Sequence, residues 1–191
     1  MKRYEALKEI VELLENELVI CNLGIPSKEL YHLKDRDENF YMLGSMGLVS
    51  SIALGLAISK PEKKVLCVDG DGSILMNLGS LSTIANVNPK NLTIIIIDNG
   101  SYGSTGNQKT HTSKNTKLEI IARGAGFESI SIIDKLEKII PTLNKLNIGC
   151  HFVLIKTEPG NAEVENIPLH PEMIKDRFMQ AITKYETNEK I

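Results

Sequence analysis

The sequence predicts an α/β protein: a three-layer, doubly wound, mostly parallel sheet of about six strands with helices on both faces. Three observations carry this. Apolar runs of strand length alternate with helical patterns along the whole chain, as right-handed strand–helix–strand crossovers require. Ile94-Ile95-Ile96-Ile97 is continuous and β-branched, which suits a strand covered on both faces in the middle of a parallel sheet. Glycines gather in Gly24–Ser27, Gly44–Gly47, Gly70–Ser73 and Asn99–Gly103, each just after a predicted strand. In doubly wound sheets ligands bind at the carboxyl ends of the strands, near a switch point.

The elements follow in order. Residues 2–16 place Leu7, Ile10, Val11 and Leu14 at helical spacing between charges. Leu18–Cys21 is a short buried strand. Ser27 is placed to cap a helix through about Leu33. Phe40–Leu43 is a second strand, and Gly44-Ser45-Met46-Gly47 opens a small-residue helix through about Ser59. Val65–Asp69 is a third strand, followed by a helix from about Ser73 to Asn86. Leu92–Ile97 is the fourth strand, and Ser101–Lys114 is a polar loop without periodicity. A short helix at Leu118–Arg123, an edge strand at Phe127–Ile132, a helix at Asp134–Leu146 and a strand at Phe152–Ile155 come next. A tail helix from Pro171 to about Glu186 ends in fraying residues.

The chain is read as a single domain over residues 1–191, a length that fits one hydrophobic core. Lys+Arg number 22 and Asp+Glu 24, a net charge of −2, so no basic field exists to hold nucleic acid. No apolar stretch approaches the roughly 20 residues of a membrane span. The charged start, Met1-Lys2-Arg3-Tyr4-Glu5, predicts no secretory signal and a cytoplasmic protein. Cys21, Cys67 and Cys150 are widely spaced among apolar neighbours and form no metal or redox motif, so they read as small buried hydrophobes. His32, His151 and His170 are scattered and read as structural, and Glu158–Glu165 as an exposed acidic loop.

The chemistry concentrates in Val68-Asp69-Gly70-Asp71-Gly72-Ser73. Glycines flanking Asp71 allow a tight turn and close approach to a ligand. A helix starting there would direct free N–H groups at a phosphate. An aspartate would repel that phosphate unless a cation lay between them, so Asp71 reads as a Mg²⁺ ligand under a diphosphate. Asn99, after the next strand, offers a neutral carbonyl oxygen, and a main-chain carbonyl near Ser101-Tyr102 completes the protein's share. Taken alone, Gly-Asp-Gly also fits a plain strand–helix turn. Its coupling to an apolar strand ending in Asp98-Asn99-Gly100-x-x-Gly103 favours the metal reading.

Gly70-Asp71-Gly72-Ser73 followed after the next strand by Asn99 resembles the metal–diphosphate motif of the thiamine diphosphate enzymes. Gly44-Ser45-Met46-Gly47 is similar to the family's segment facing the aminopyrimidine. Ser73–Leu81 resembles the following helix in the decarboxylase branch. Ser101-Tyr102-Gly103-Ser104-Thr105-Gly106-Asn107-Gln108-x-Thr110 resembles the loop of phosphonopyruvate and sulfopyruvate decarboxylases, and the likeness spans about residues 15–160.

This resemblance implies thiamine diphosphate and Mg²⁺ as cofactors. It implies that Asp71, the Asn99 side chain and the Ser101 main-chain oxygen bind the metal. Gly72 and Ser73 would meet the diphosphate, and the Gly44 carbonyl would accept from the pyrimidine amino group. Met46 would prop the cofactor, with Ser45, Tyr102 and Gly103 beside it. The implied reaction is decarboxylation of a 2-oxo acid, in the sulfopyruvate form 3-sulfopyruvate to sulfoacetaldehyde and CO₂, in coenzyme M biosynthesis in archaea. The family's pyrimidine-binding domain, with its glutamate, has no room in this chain. The resemblance therefore implies an α subunit as partner, in a hetero-oligomer with several β chains.

Within Ser104–Ser113, Ser104, Thr105, Gln108, Thr110 and His111 are candidates to read the substrate or relay a proton, and His111 is the catalytic candidate. Three rivals stay open. A phosphonopyruvate substrate is not separated from a sulfonate by these residues. A 2-oxo acid oxidoreductase or transketolase-like subunit would keep the cofactor and change the reaction. A nucleotide- or Mg²⁺-binding regulatory module would need no partner.

Overall fold

The computed structural model describes residues 1–183. The strands are β1 (Leu18–Cys21), β2 (Asn39–Tyr41), β3 (Val65–Gly70), β4 (Asn91–Asp98), β5 (Ser101–Tyr102), β6 (Gln108–Lys109), β7 (Ser129–Ile133) and β8 (Gly149–Lys156). The helices are α1 (Arg3–Glu12), α2 (Ile25–Leu33), α3 (Val49–Ser59), α4 (Asp71–Ile74), α5 (Gly79–Val87), α6 (Leu118–Ala125), α7 (Ile139–Leu143) and α8 (Pro171–Thr183). Six strands form one sheet in the order β2-β1-β3-β4-β8-β7, and every pairing in it is parallel. β5 and β6 form a separate antiparallel pair.

The sheet buries both faces by simple alternation. Leu18, Ile20, Cys67, Ile94, Ile96, Phe152 and Leu154 point to one side, into a core closed by α3, α5, α6 and Phe178 of α8. Val19, Cys21, Val68, Ile95, Ile97, Val153 and Ile155 point to the other, beneath α1, α2 and α7. β4 reads as a continuous apolar run because successive side chains enter two different cores. All three cysteines are free and buried.

The connection after β1 leads outward to β2, while the connection after β3 leads the other way to β4. The carboxyl ends of β1 and β3 therefore flank the switch point. Gly70 pairs with Ile97, and Asp98 is the register partner of Lys156. Asp71 and Asp98 thus emerge together from the tops of neighbouring strands, with Lys156 alongside.

Several boundaries differ from the sequence expectation. α1 stops at Glu12 rather than residue 16, where Lys34 Nζ caps the Val11 and Leu14 carbonyls at 3.1 and 2.7 Å. β2 ends at Tyr41 rather than Leu43, and the strand expected from Phe127 starts at Ser129. α2 begins at Ile25, entered through Gly24 at φ +79° with Pro26 in its first turn. Ser27 is no cap: its hydroxyl donates to the Asn22 carbonyl at 2.7 Å. Gly44–Gly47 does not open a helix, because Ser45 (φ +60°) and Gly47 (φ +90°) are left-handed, and α3 starts at Val49.

The helix expected from Ser73 to Asn86 starts earlier, at Asp71. It is broken into α4, a 3₁₀ turn at Leu75–Asn77, and α5. The helix expected at Asp134–Leu146 is a 3₁₀ turn (Leu136–Lys138) followed by α7. Pro141 lacks an N–H and is accommodated only near a helix start, so the chain restarts at Ile139. The polar loop after β4 contains the β5–β6 pair. α8 matches its expected start, and the expected continuation to Glu186 and frayed end lie outside the described residues.

Candidate active site

A cavity of about 160 Å³ opens at the carboxyl ends of β1, β3 and β4, with Arg3, Met46, Asp71, Asn99 and Tyr102 in its wall. Gly72, Ser101 and Gly103 also border it. Gly44 and Ser45 are exposed residues of the loop that delivers Met46. Ser73 is buried: its hydroxyl accepts the Gly47 N–H at 3.0 Å and bonds the Asp69 carboxyl. His111 is exposed and is not part of the cavity wall.

Asp71 is only 2 % exposed. Burial pushes its carboxyl above the ordinary carboxylate range, opposed by the Thr110 hydroxyl. Asp98 adds to the rise, and Thr112 and the Asn99 N–H add to the opposition. Thr110 and Thr112 both place Oγ1 on Asp71 Oδ2, Thr112 at 2.9 Å. Thr112 Oγ1 also lies 2.7 Å from Asp98 Oδ1, and the Lys156 ammonium pairs with Asp98 Oδ2. Deeper in β3, burial raises Asp69 to about 7, and its Oδ2 has no partner.

The turn after β4 is held by its own side chains. Asn99 Oδ1 accepts the Ser101 N–H at 3.0 Å, Asp98 Oδ1 accepts the Gly100 N–H at 3.1 Å, and Gly100 takes φ +65°. Ser101 Oγ is buried without a partner at the cavity wall. The Asp71 carboxylate, the Asn99 amide carbonyl and Ser101, with Asp69 also bordering the cavity, form a hard oxygen donor set. That set fits a small divalent cation that keeps part of its water shell. Among the described residues no cluster of three His, Cys, Asp or Glu offers a competing, softer site.

Gly72 is required sterically: a Cβ there would lie 2.4 Å from Tyr102 Cε1. Gly103 is gripped from outside. Its carbonyl accepts from Asn161 Nδ2 at 2.9 Å, and Asn161 Oδ1 accepts from Arg3 Nη2 at 2.9 Å. The segment that reads as an exposed acidic loop therefore also holds the cavity rim. Of the candidate substrate-reading residues, Ser104 and Thr105 border the cavity. Thr105 and Gln108 bond each other, and Thr110 turns inward to Asp71.

The sequence reading missed Arg3, Glu29, Asn161, Asp98, Thr112 and Lys156. Arg3, Glu29 and Asn161 meet only through contacts between distant segments. Asp98 and Lys156 carried a signal in hindsight, since each is a charge directly after four consecutive apolar residues, Ile94–Ile97 and Phe152–Ile155.

The family described as thiamine pyrophosphate enzyme, C-terminal TPP binding domain, matches residues 25–157. The chain belongs to the thiamine pyrophosphate enzymes. It is 56 % identical over 187 residues to the sulfopyruvate decarboxylase subunit beta of Methanocaldococcus jannaschii, covering 96 % of this chain and 98 % of that one. It is 44 % identical over 184 residues to the sulfopyruvate decarboxylase of Methanosarcina acetivorans, covering 95 % of this chain and 47 % of that longer one. Phosphonopyruvate decarboxylase of Streptomyces viridochromogenes is 35 % identical over 185 residues, covering 95 % of this chain and 46 % of that protein. Among solved structures, a putative thiamin diphosphate-dependent enzyme from Mycobacterium smegmatis superposes with a TM-score of 0.70 at 16 % identity. The match covers 84 % of this chain and 32 % of that one, so this chain spans about a third of that structure. The shared fold is the three-layer α/β arrangement expected from the sequence.

Proposed function

We propose that this chain is the β subunit of a thiamine diphosphate- and Mg²⁺-dependent decarboxylase that converts 3-sulfopyruvate to sulfoacetaldehyde and CO₂, a step of coenzyme M biosynthesis. The observation that carries this reading is the convergence of Asp71, Asn99 and Ser101 in one buried cavity, in a chain 56 % identical to a protein named for that activity. The relatives named for phosphonopyruvate are 35–36 % identical, which favours the sulfonate.

The chain's residues divide the work. Asp71 and Asn99, through their side chains, and Ser101, through its main-chain oxygen, hold Mg²⁺. The backbone at Gly72 and Ser73 meets the diphosphate, where Gly72 leaves space for close approach. The Gly44 carbonyl and Met46 orient the pyrimidine end, flanked by Ser45, Tyr102 and Gly103. When bound, thiamine diphosphate would supply the electron sink for the decarboxylation. His111 serves the substrate side rather than the cofactor, because it is exposed outside the cavity. His111→Ala is expected to lower kcat while leaving cofactor affinity unchanged.

An α subunit completes the site by supplying the pyrimidine-binding domain and its glutamate. The Methanosarcina acetivorans relative supports this: a single chain of about twice the length bears the name sulfopyruvate decarboxylase. Exposed Leu43, Leu48, Ile52 and Met76 lie on the segments around the Gly44–Gly47 loop, where a partner would cover them. The assembly holds several β chains. No helix of the described residues is long and apolar enough to cross a membrane, and three unpaired buried cysteines suit the cytoplasm.

The direct test is Asp71→Ala in the enzyme reconstituted with its partner. Loss of Mg²⁺-dependent thiamine diphosphate binding and of 3-sulfopyruvate turnover is expected. Full binding and turnover in that variant would refute the assignment, and turnover of phosphonopyruvate instead would move it to the neighbouring activity.

A further inference from the structure

We infer that Thr112 is a positioning residue for the metal, holding the Asp71 carboxylate through a hydroxyl that it shares with the Asp98–Lys156 ion pair; this rests on the reading of Asp71 as a metal ligand. The geometry is asymmetric. Both threonine hydroxyls take Asp71 Oδ2, and the two hydroxyl oxygens lie 2.9 Å from each other. Oδ1 has no hydroxyl partner. The Asn99 N–H bonds the same carboxylate, so it cannot rotate freely, and the oxygen without hydroxyl partners is left to meet a cation one oxygen at a time. Mg²⁺, which demands near-octahedral ligands, favours that mode.

Thr112 is the hinge of the arrangement because it touches two carboxylates. Its Oγ1 is 2.9 Å from Asp71 Oδ2 and 2.7 Å from Asp98 Oδ1. A hydroxyl carries one hydrogen, so it donates to one carboxylate at a time. Without a further charge, two buried carboxylates bridged by one hydroxyl would repel. Lys156, the register partner of Asp98, supplies that charge through Asp98 Oδ2. Asp98 is thereby compensated from within the protein. Asp71 is left as the carboxylate of this pair whose charge awaits an external cation. The connected side chains come from four segments: Asp71 after β3, Asp98 in β4, Thr110 and Thr112 in the loop after β6, and Lys156 in β8.

The test measures Mn²⁺ binding by electron paramagnetic resonance in the presence of thiamine diphosphate, on the chain purified with its partner subunit. Thr112→Val removes the hydroxyl and keeps the shape, and Thr112→Ser keeps the hydroxyl. The valine variant is expected to raise the half-saturating Mn²⁺ concentration roughly tenfold, the scale of one lost hydrogen bond to a charged group. The serine variant should stay within about twofold of the parent. Thr112→Ala gives the same reading if the valine variant fails to fold. Asp71→Ala is measured beside them. If it abolishes Mn²⁺ binding while the hydroxyl-free variants bind as the parent does, the positioning role is wrong and the metal assignment stands. If Asp71→Ala itself binds Mn²⁺ normally, the underlying reading fails. Equal loss in the valine and serine variants would also overturn the inference, because it would assign the effect to packing rather than to the hydroxyl.

Discussion

Arg3, in the first turn of α1, donates through Nε and Nη2 to the carboxylate of Glu29 in α2, at 2.7 and 3.1 Å. Glu29 is fully buried and Arg3 nearly so. The same guanidinium reaches Asn161, which holds the Gly103 carbonyl, and Glu29 Oε1 accepts the Ala162 N–H at 3.0 Å. One buried ion pair thus ties two helices, the segment after β8 and the rim of the cavity at the strand ends.

Removing either partner of that pair strands a buried charge. Arg3→Ala or Glu29→Leu is expected to destabilise the chain by about 3–5 kcal/mol. In a chain of this size that lowers Tm by roughly 6–20 °C. The double variant Arg3→Met/Glu29→Leu should recover much of the loss, because no unpaired charge remains. Thermal melts of the three variants decide it. Asn161→Ala, which spares the ion pair, should instead weaken cofactor binding with only a small change in Tm.

At Gly72 the expected outcome is steric. Alanine places a methyl where the Tyr102 ring lies, so the ring must move into the cavity. Thiamine diphosphate affinity should fall at least about tenfold, while overpacking destabilises the fold by only about 1–3 kcal/mol. Calorimetric titration of Gly72→Ala, with and without Tyr102→Ala, separates the two effects. Recovery of binding in the double variant is the expected sign.

The thiols give the pH dependence. Burial pushes Cys21 up to about 12 and Cys150 up to about 11, and Cys67 is raised as well. A thiol-specific reagent at pH 8 should therefore titrate none of the three in the native chain and all three in guanidinium. Because the folded thiols hold their protons above the unfolded value of 9.0, they favour the folded state fully below that pH. That contribution is lost as pH rises through about 11 to 12. Alkaline unfolding should be steeper for the parent than for Cys21→Ala, measured by denaturant midpoint between pH 8 and 11.

The apolar rim gives a prediction about assembly. Leu48 and Ile52 are 43 % and 39 % exposed and sit one helical turn apart. Ile52→Lys should leave the Tm of the isolated chain within about 2 °C, since exposed substitutions rarely change stability by more than about 0.5 kcal/mol. It should weaken association with the partner subunit, read by size-exclusion chromatography of the mixture. Undiminished assembly would place the partner elsewhere.

Much of this was legible in the residues. The alternation of Ile94–Ile97 between two cores is written in an unbroken apolar run, and the turn at Gly70–Ser73 in glycine and charge. That Asp71, Asn99 and Ser101 would border one cavity was legible because Asp71 and Asn99 directly follow β3 and β4 and Ser101 lies in the turn after β4, where the fold brings strand ends together. Local competition hid other features. Ser45 and Gly47 adopt positive φ where the small-residue pattern reads as helix, and Pro141 divides a periodic segment. What was illegible is long range. Thr112 meets Asp71 across 41 positions and Asn161 meets Gly103 across 58. No local period encodes such pairs, since they exist only once the sheet order is set.

That order also governs when the proposed metal centre can exist during synthesis. β8 enters the sheet between β4 and β7, and its last residue is Lys156, the cation that compensates Asp98. Asn161, which anchors the rim, follows five residues later. A nascent or truncated chain ending before these positions already contains Asp71, Asn99 and Ser101. It lacks a central strand, the Lys156 counter-charge to Asp98 and the Asn161 anchor of the cavity rim. The proposed ligands come early in the chain, but the site closes late, so competence to load cofactor should report that residues 149–161 have been made and have docked.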